Sequence, residues 1–386
     1  MGKNKSTGAW NEVESGLKMI HSCIINTINN LVEDVTKKVG IDNNQIDVLT
    51  IVGNACMIHW LLKTDPTQIL LDPFLPFAKK TMMFTAKTLG IDIKGTGRVY
   101  LLPNIAGIIG SDTLAAIMAL KIDKSDQVRM VIDIGTNVKI IIGTKKNMFV
   151  CAVAGSSALE GTSISCGIGA VKGAIDHVLL RNGEIQLSVI EDDKPIGICG
   201  SGLIEVISEM LELNIINYKG KVLSPHEIST IKDFSFKDRI IRFDGSNAFF
   251  LVDETVSGDG KPIIITQNDI CQVQLAKAAI CSAIHTMIRE YNTDFPAIEE
   301  VLVTGKFGCV LDINHFCRIG LIPLELRHKV KVIEKAVLSG AIAAMLSLEQ
   351  FQHTLSILQK VKYIEFSIHS SFGNSFNQFL SFPQKS

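Results

Sequence analysis

The sequence predicts an α/β protein built from two lobes. The chain has 386 residues, and this length favours two compact units over one. Its second part predicts buried strands and amphipathic helices in the order strand, strand, strand, helix, strand, helix, with insertions between them. Hydrophobic residues make up 47% of the chain and charged residues 20%, so both lobes can bury substantial cores.

The predicted first lobe, residues 1–125, begins with a long amphipathic helix. Apolar residues recur every three or four positions over 10–38, which is the spacing of one helix face. A buried strand is predicted over 45–52, and a helix follows it from residue 55 to about 63. Scattered prolines then predict an irregular connection before a helix over 113–121.

The predicted second lobe, residues 126–386, opens with three strands in close succession, over 129–134, 138–143 and 148–153. A segment rich in glycine, 154–176, is expected to be ordered because apolar residues recur within it. An apolar helix is predicted over 203–213.

The rest of this lobe contains an inserted, strand-rich section over about 217–262. Thr266 and Asp269 have capping-box spacing and predict a helix that runs to about residue 291. A strand over 299–304 and a core helix over 336–346 complete the pattern. This order of elements is typical of a ribonuclease-H-like lobe. Two such lobes form the nucleotide cleft shared by acetate and sugar kinases, heat-shock chaperones and actin, the superfamily abbreviated ASKHA.

The segment Asp133-Ile134-Gly135-Thr136-Asn137 is the candidate phosphate site. It joins two predicted strands, and we expect Gly135 to let the backbone approach an oxyanion in a conformation that other residues resist. The turn amides and the Thr136 hydroxyl can donate to phosphate, with Asn137 in the same turn. Asp133 can hold Mg²⁺ or orient an attacking water. A tight hairpin turn without a ligand fits the same short pattern.

Charge and hydropathy exclude several classes of partner. The chain has 38 Lys and Arg against 39 Asp and Glu, so no excess positive charge indicates a nucleic-acid partner. Apolar runs are far shorter than the roughly 18 residues that a membrane span needs. The polar N-terminus is not followed by an apolar signal core, so we expect a cytoplasmic protein that does not bind a membrane.

The nine cysteines form no C-x-x-C pair. We therefore expect reduced, mostly buried thiols and no iron–sulfur cluster on this chain. The nine histidines form no H-x-x-x-H ligand pair, and His353 is interpreted as a surface or core residue.

Several motifs in order resemble the C-terminal ATPase region of the reductive activators of corrinoid proteins. The resemblance covers nearly the whole chain. Its motifs are residues 52–57, 133–137, 158–161, 166–167, 173–175, 197–202, 274–279, 305–308, 319–323, 363–365 and 382–383.

This resemblance implies ATP-dependent reduction of Co(II) corrinoid to Co(I), with ATP and Mg²⁺ as cofactors. It implies catalytic roles for Asp133 and Glu160 and a metal-binding role for Asp133. It also implies nucleotide contacts, which fall on Gly135, Thr136, Asn137, Gly305, Phe307 and Gly308. The implied partners are a corrinoid protein or corrinoid methyltransferase and a ferredoxin-like electron donor.

The chain departs from the family pattern in ways that leave alternatives open. No ferredoxin-type cysteine set and no earlier D-I-G-T-T hairpin occur in it, so the first lobe is expected to be incomplete. A separate protein or a homodimer would then supply the missing hairpin. Val138-Lys139 stands where the family usually has Gly-Glu, and Lys306 stands within the adenosine loop. A non-catalytic domain that docks to a corrinoid protein is the alternative, and a sugar or acid kinase is a third, less supported one.

Overall fold

The protein divides into two compact units in a computed structural model that describes residues 5–69, 80–135, 137–228, 235–305, 312–366 and 370–384. The first unit comprises residues 1–126, 143–148 and 335–363. The second comprises residues 127–142, 149–334 and 364–386. Packing therefore groups a late segment of the chain, 335–363, with the first 126 residues.

The elements are numbered along the chain. The α-helices are α1 Lys5–Val39, α2 Ala55–Leu61, α3 Ala86–Leu89, α4 Ser111–Leu120, α5 Ser156–Leu159, α6 Gly200–Glu212, α7 Pro225–Ile228, α8 Gln267–Glu290, α9 Ile313–Arg318, α10 Ala336–Leu346, α11 Leu348–Leu358 and α12 Ser370–Gln378. The strands are β1 Val48–Ile51, β2 Met82–Thr85, β3 Arg98–Leu101, β4 Val128–Ile134, β5 Val138–Gly143, β6 Met148–Val153, β7 Ala174–Arg181, β8 Glu184–Val189, β9 Gly197–Ile198, β10 Ile240–Phe243, β11 Ser246–Val252, β12 Ile263–Ile265, β13 Ile298–Thr304, β14 Val330–Val332 and β15 Val361–Tyr363.

The first unit is built on a small sheet in the order β1-β3-β2, with β1 parallel and β2 antiparallel to β3. The predicted helix at the start of the chain is confirmed as α1, which begins five residues earlier than expected. Ile25 and Val32 on α1 belong to the same buried cluster as Leu61 of α2 and Val99 of β3. The apolar face of α1 thus helps to close the core of this unit, as its periodicity predicts.

Helices α4 and α10 pack very closely within the first unit. A Cβ placed on Gly340 of α10 would lie 2.0 Å from the carbonyl oxygen of Ala115 in α4. Ala336, Ala341 and Ala344 of α10 are also buried. Small residues allow two helix backbones to approach to a distance at which larger side chains clash.

We expect Gly340→Ala to destabilise the first unit by about 1–3 kcal/mol, because the added methyl group has no space beside the Ala115 carbonyl. Gly16→Ala in α1 is the matched control, since a Cβ there meets no atom within 4 Å. Alanine at that position favours the helix by up to about 1 kcal/mol. Trp10 and Trp60, the two tryptophans, both belong to the first unit. Urea unfolding followed by tryptophan fluorescence therefore measures both variants, and a neutral Gly340→Ala would contradict the close packing.

The second unit contains the strands β14, β13, β4, β5 and β6, which are hydrogen-bonded neighbours in that order. Strands β4 and β14 both run parallel to β13. The connection between β4 and β5 is three residues long, which is far too short for a parallel crossover, so these strands form a hairpin. The predicted strands over 138–143 and 148–153 are confirmed at both ends.

Helix α8 is the central helix of the second unit, and its predicted capping box is confirmed. The Thr266 hydroxyl accepts from the backbone N–H of Asp269, and the Asp269 carboxylate accepts from the backbone N–H of Thr266. Val273, Ile280 and Ile284 on this helix are fully buried. They belong to the main hydrophobic core, which also includes residues of β4, β5 and β13.

The hairpin of β7 and β8 was not predicted from the sequence. Side chains of β8 alternate between exposed and half-buried, so the strand lacks the continuous apolar run of β5. A local signal is nevertheless present at Asn182 and Gly183. These two residues have φ of 53° and 81°, and an Asn-Gly pair with positive φ at both positions is the preferred two-residue hairpin turn.

Candidate functional site

The candidate site lies where the parallel strands β4 and β13 end. In their register Ile132 is opposite Val303, and Asp133 is opposite Thr304. Asp133 is 5% exposed and Thr304 is 1% exposed. Because parallel strands end at the same edge of a sheet, the turn after β4 and the loop after β13 emerge side by side.

Gly305 brings these two segments into contact. Its φ is +97°, a conformation that L side chains rarely adopt. A Cβ at this position would lie 2.5 Å from the carbonyl oxygen of Ile134 and 2.6 Å from Oδ1 of Asp133. Glycine is therefore required here both by the backbone conformation and by the space available. The structure thus brings together two of the residues selected from sequence, Asp133 and Gly305.

Gly135 differs from what the sequence analysis expects. Its φ lies outside the left-handed region, and a Cβ there would meet only the carbonyl oxygen of Asn137, at 3.9 Å. The expectation of a backbone conformation that other residues resist is therefore wrong at this position. The open space above Gly135 leaves its backbone accessible. A role for Gly135 and the half-buried Asn137 in phosphate binding stays a prediction.

Three of the residues implied in nucleotide contact, Thr136, Phe307 and Gly308, lie outside the described residues, as does Lys306. Glu160 is described and half-buried, and it belongs to a different loop, after α5. That loop packs on the start of α6, because a Cβ on Gly200 would lie 1.9 Å from the carbonyl oxygen of Leu159. Glu160 therefore follows a segment that is fixed in place, although its catalytic role stays a prediction.

Two charged residues of the β4–β5 hairpin, Asp133 and Lys139, are buried. Lys139, the second residue of β5, is 5% exposed, close to the value for Asp133. Burial of a charge is costly without compensation, and both residues have interaction partners in the protein. In the sequence, Lys139 stands out only because the family that the chain resembles usually has Glu at this position. The structure therefore places a buried lysine two residues after Asn137, the last residue of the turn.

The described residues contain no group of three or more His, Cys, Asp or Glu side chains that could hold a metal ion. A role for Asp133 in holding Mg²⁺ stays a prediction. All cysteines in the described part of the chain are free thiols, and Cys151, Cys199, Cys281 and Cys317 are buried. Among the helices that the structure describes, none is both long enough and apolar enough to cross a bilayer.

The fold, and the contact of Gly305 after β13 with Asp133 at the end of β4, define a protein of the ASKHA class. Residues 127–386 match the family described as "C-terminal domain of RACo the ASKHA domain". Residues 8–125 match the family described as "RACo middle region". The first match covers more than half of the chain, so the chain belongs to the RACo family, and the recognition and the fold class predicted from sequence are confirmed.

Known relatives of this chain are corrinoid activation proteins. The chain is 31% identical over 362 residues to the corrinoid activation enzyme RamQ of Eubacterium limosum, covering 94% of this chain and 60% of RamQ. It is 22% identical over 378 residues to the [Co(II) methylated amine-specific corrinoid protein] reductase of Methanosarcina barkeri, with 88% and 62% covered.

A solved structure, titled reductive activator for corrinoid,iron-sulfur protein, superimposes with a TM-score of 0.84 at 30% identity. The match covers 96% of this chain and 58% of that chain. The chain thus spans about three fifths of the length of these relatives.

Proposed function

We propose that the chain is the nucleotide-binding part of an ATP-dependent activator that reduces the cobalt of a corrinoid protein from Co(II) to Co(I). In this reaction one electron leaves a separate donor, which is oxidised, and the electron reduces Co(II). ATP and water give ADP and phosphate, and the conformational change that accompanies them drives the uphill electron transfer. The observation that supports ATP binding is the contact of Gly305 with Asp133 and Ile134 at the edge of the sheet.

In this proposal each segment of the site has a separate chemical task. Asp133 holds Mg²⁺, directly or through water, beside the phosphates. Gly135, Thr136 and Asn137 bind the phosphate oxygens through turn amides and the threonine hydroxyl. Glu160 orients the attacking water. The loop after β13 contacts adenosine through Gly305, Phe307 and Gly308.

The proposed partners are a corrinoid protein or corrinoid methyltransferase and a ferredoxin-like electron donor. The names of RamQ and of the Methanosarcina barkeri reductase support the first of these. A ferredoxin-like protein is the proposed electron donor, as the family resemblance implies; the 386 residues themselves carry no cysteine set of the plant-type spacing. A homodimer is a further proposed arrangement.

The alternative function is a non-catalytic ASKHA domain that docks to a corrinoid protein. One observation favours it, which is the burial of Lys139 directly after the phosphate turn. The family usually has Glu at this position, and a buried lysine reverses the charge next to the place where Mg²⁺ would be held. Measurement of nucleotide binding separates the two functions.

We expect the purified chain to bind Mg-ATP with a Kd on the order of 1–100 μM in titration calorimetry. Asp133→Asn keeps the side-chain size and removes the charge, so the Kd should rise about 10-fold to 100-fold, the loss typical of one charge-assisted contact. Chelation of Mg²⁺ should weaken binding to the wild type and have little effect on the variant.

Asp126→Asn is the matched control, since Asp126 is an exposed carboxylate paired with Lys145 at 2.6 Å, and it should leave the Kd unchanged. A purified corrinoid protein in the Co(II) state, supplied with reduced ferredoxin, then tests the redox step through the absorbance of Co(I). Co(I) formation that requires both the chain and ATP supports activation. An absence of Mg-ATP binding by the wild type would refute the proposal and favour the docking domain.

A further inference from the structure

A cavity of about 550 Å³ lies in the second unit and is lined by none of the described residues proposed for nucleotide binding. Its walls come from α8, from the segment that ends α9 and continues to Glu325, and from the C-terminal segment 378–384. This volume is typical of sites that bind small molecules.

The inner wall of the cavity carries a buried ammonium group, that of Lys277 on α8. Lys277 is 1% exposed, its Nζ donates to the carbonyl oxygen of Ser381, and it lies 5.3 Å from the centre of the Phe382 ring. A lysine ammonium has three N–H donors. Among the described residues only one of these has a hydrogen-bond acceptor, so at least one donor remains for a group inside the cavity.

Gly320 makes room at this end of the cavity. A Cβ at Gly320 would lie 3.7 Å from Nζ of Lys277 and 2.8 Å from the Pro383 ring. Its φ of +74° also favours glycine. Glycine at position 320 therefore leaves space beside the ammonium group of Lys277.

The positive charge of Lys277 has no anionic partner within the described residues. The guanidinium of Arg318, also in the wall, is already paired with Glu209 at 3.2 Å and Glu212 at 3.4 Å. Glu325 lines the cavity and makes no ion pair with Lys277 among the described contacts. A buried cation without a counter-charge is costly.

The ionisation of the neighbouring groups leaves this charge uncompensated. Burial raises the pKa of the Cys281 thiol to about 12, so this thiol stays neutral at pH 7. Burial also lowers the pKa of His285 below its ordinary value, which favours the neutral imidazole. Burial lowers the pKa of Lys277 itself to about 8, so Lys277 is still mostly protonated at pH 7.

We propose that this cavity binds a small organic carboxylate through Lys277. One carboxylate oxygen accepts the free N–H of the ammonium group, and the apolar body of the ligand packs against Phe382, Phe379 and Ile322. A carboxylate suits the site better than a phosphate. A phosphate dianion is normally bound by several donors, whereas the cavity offers one unpaired cation and mostly apolar walls.

Titration calorimetry at pH 7 with benzoate and butyrate as probes, and with inorganic phosphate for comparison, tests the site. We expect saturable binding of a carboxylate probe to the full chain with a Kd on the order of 0.1–1 mM. Lys277→Met should weaken this binding at least about 10-fold, the size of one charge-assisted hydrogen bond. Lys221→Met is the matched control, because Lys221 is an exposed lysine of the same unit paired with Glu227, and it should bind the probe as the wild type does.

A second measurement uses only the wild type and so does not depend on the folding of a variant. The midpoint of thermal unfolding of the wild type should rise with the concentration of a carboxylate probe, and chloride at equal ionic strength should leave it unchanged. Absence of saturable heat with both carboxylates, or binding equal in the wild type and Lys277→Met, would overturn the proposal. Tighter binding of phosphate than of either carboxylate would overturn the assigned ligand class. Because Mg-ATP is not used, these outcomes are independent of the proposed activator function.

Discussion

Gly305→Ala is expected to abolish measurable Mg-ATP binding and to destabilise the second unit by about 2–5 kcal/mol. A methyl group at this position would lie 2.5 Å from the carbonyl oxygen of Ile134 and 2.6 Å from the carboxylate of Asp133. The backbone would have to move, at about 1–3 kcal/mol for overpacking, and alanine at φ of +97° adds about 1–2 kcal/mol. The proposed Mg²⁺ ligand and the loop after β13 would then separate.

Gly245→Ala separates the conformational effect from the close approach. Gly245 also has a positive φ, of +74°, but a Cβ there meets no atom within 4 Å. It belongs to the same unit, in the turn between β10 and β11. This control should lose about 1 kcal/mol and keep its affinity for Mg-ATP. Calorimetric unfolding and nucleotide titration of both variants give the comparison, and equal behaviour of the two would show that the contact at Asp133 has no role.

The elements that could be predicted from sequence are those whose patterns are local. Strands β5 and β6 are short, largely buried runs bounded by turn residues, and the helix α10 is apolar throughout. Helix α8 carries its own start signal in Thr266 and Asp269. Strand β8 is not predicted from the sequence, because its side chains alternate between exposed and half-buried. The Asn182-Gly183 pair, with positive φ at both residues, is the local signal of its hairpin turn.

The candidate site could be predicted only in part, because its geometry depends on residues far apart in the chain. The turn at Asp133 was recognised from its residues, and the alignment of Thr304 with Asp133 follows from strand register, which no local pattern specifies. The cavity at Lys277 depends on the return of the C-terminal segment to α8, through the contacts of Ser381 and Phe382. In the sequence, Lys277 is one of several polar residues of α8, and no local pattern marks it as part of a cavity.

A second long-range contact involves His353, which the sequence suggested was an ordinary surface or core residue. His353 of α11 lies 2.5 Å, through Nε2, from Oδ2 of Asp123, a residue 230 positions earlier in the chain. The Asp123 side chain is completely buried, and its other oxygen, Oδ1, has no hydrogen-bond partner among the described residues. His353 Nδ1 in turn lies 2.9 Å from the hydroxyl of Ser356. The pair joins two distant segments of the first unit.

His353→Ala is expected to lower the free energy of unfolding of the first unit by about 1–3 kcal/mol, because the buried Asp123 side chain loses its hydrogen-bond partner. The double variant Asp123→Leu, His353→Leu should lose less than the single variant, since removal of both polar partners leaves no buried acceptor unsatisfied. Gln352→Ala, at an exposed position of the same helix and the same unit, is the control and should change stability by no more than about 0.5 kcal/mol.

Urea unfolding followed by the fluorescence of Trp10 and Trp60, which lie in the same unit, measures all three proteins. With the single variants Asp123→Leu and His353→Leu measured beside the double variant, a double-mutant cycle gives the coupling energy between Asp123 and His353. A coupling near zero, with His353→Ala no worse than Gln352→Ala, would mean that the short contact carries no net stability. A strong coupling would mean that the segment 335–363 is held to the first unit partly by this buried pair. Segment 335–363 would then have to be present for the first 126 residues to reach full stability.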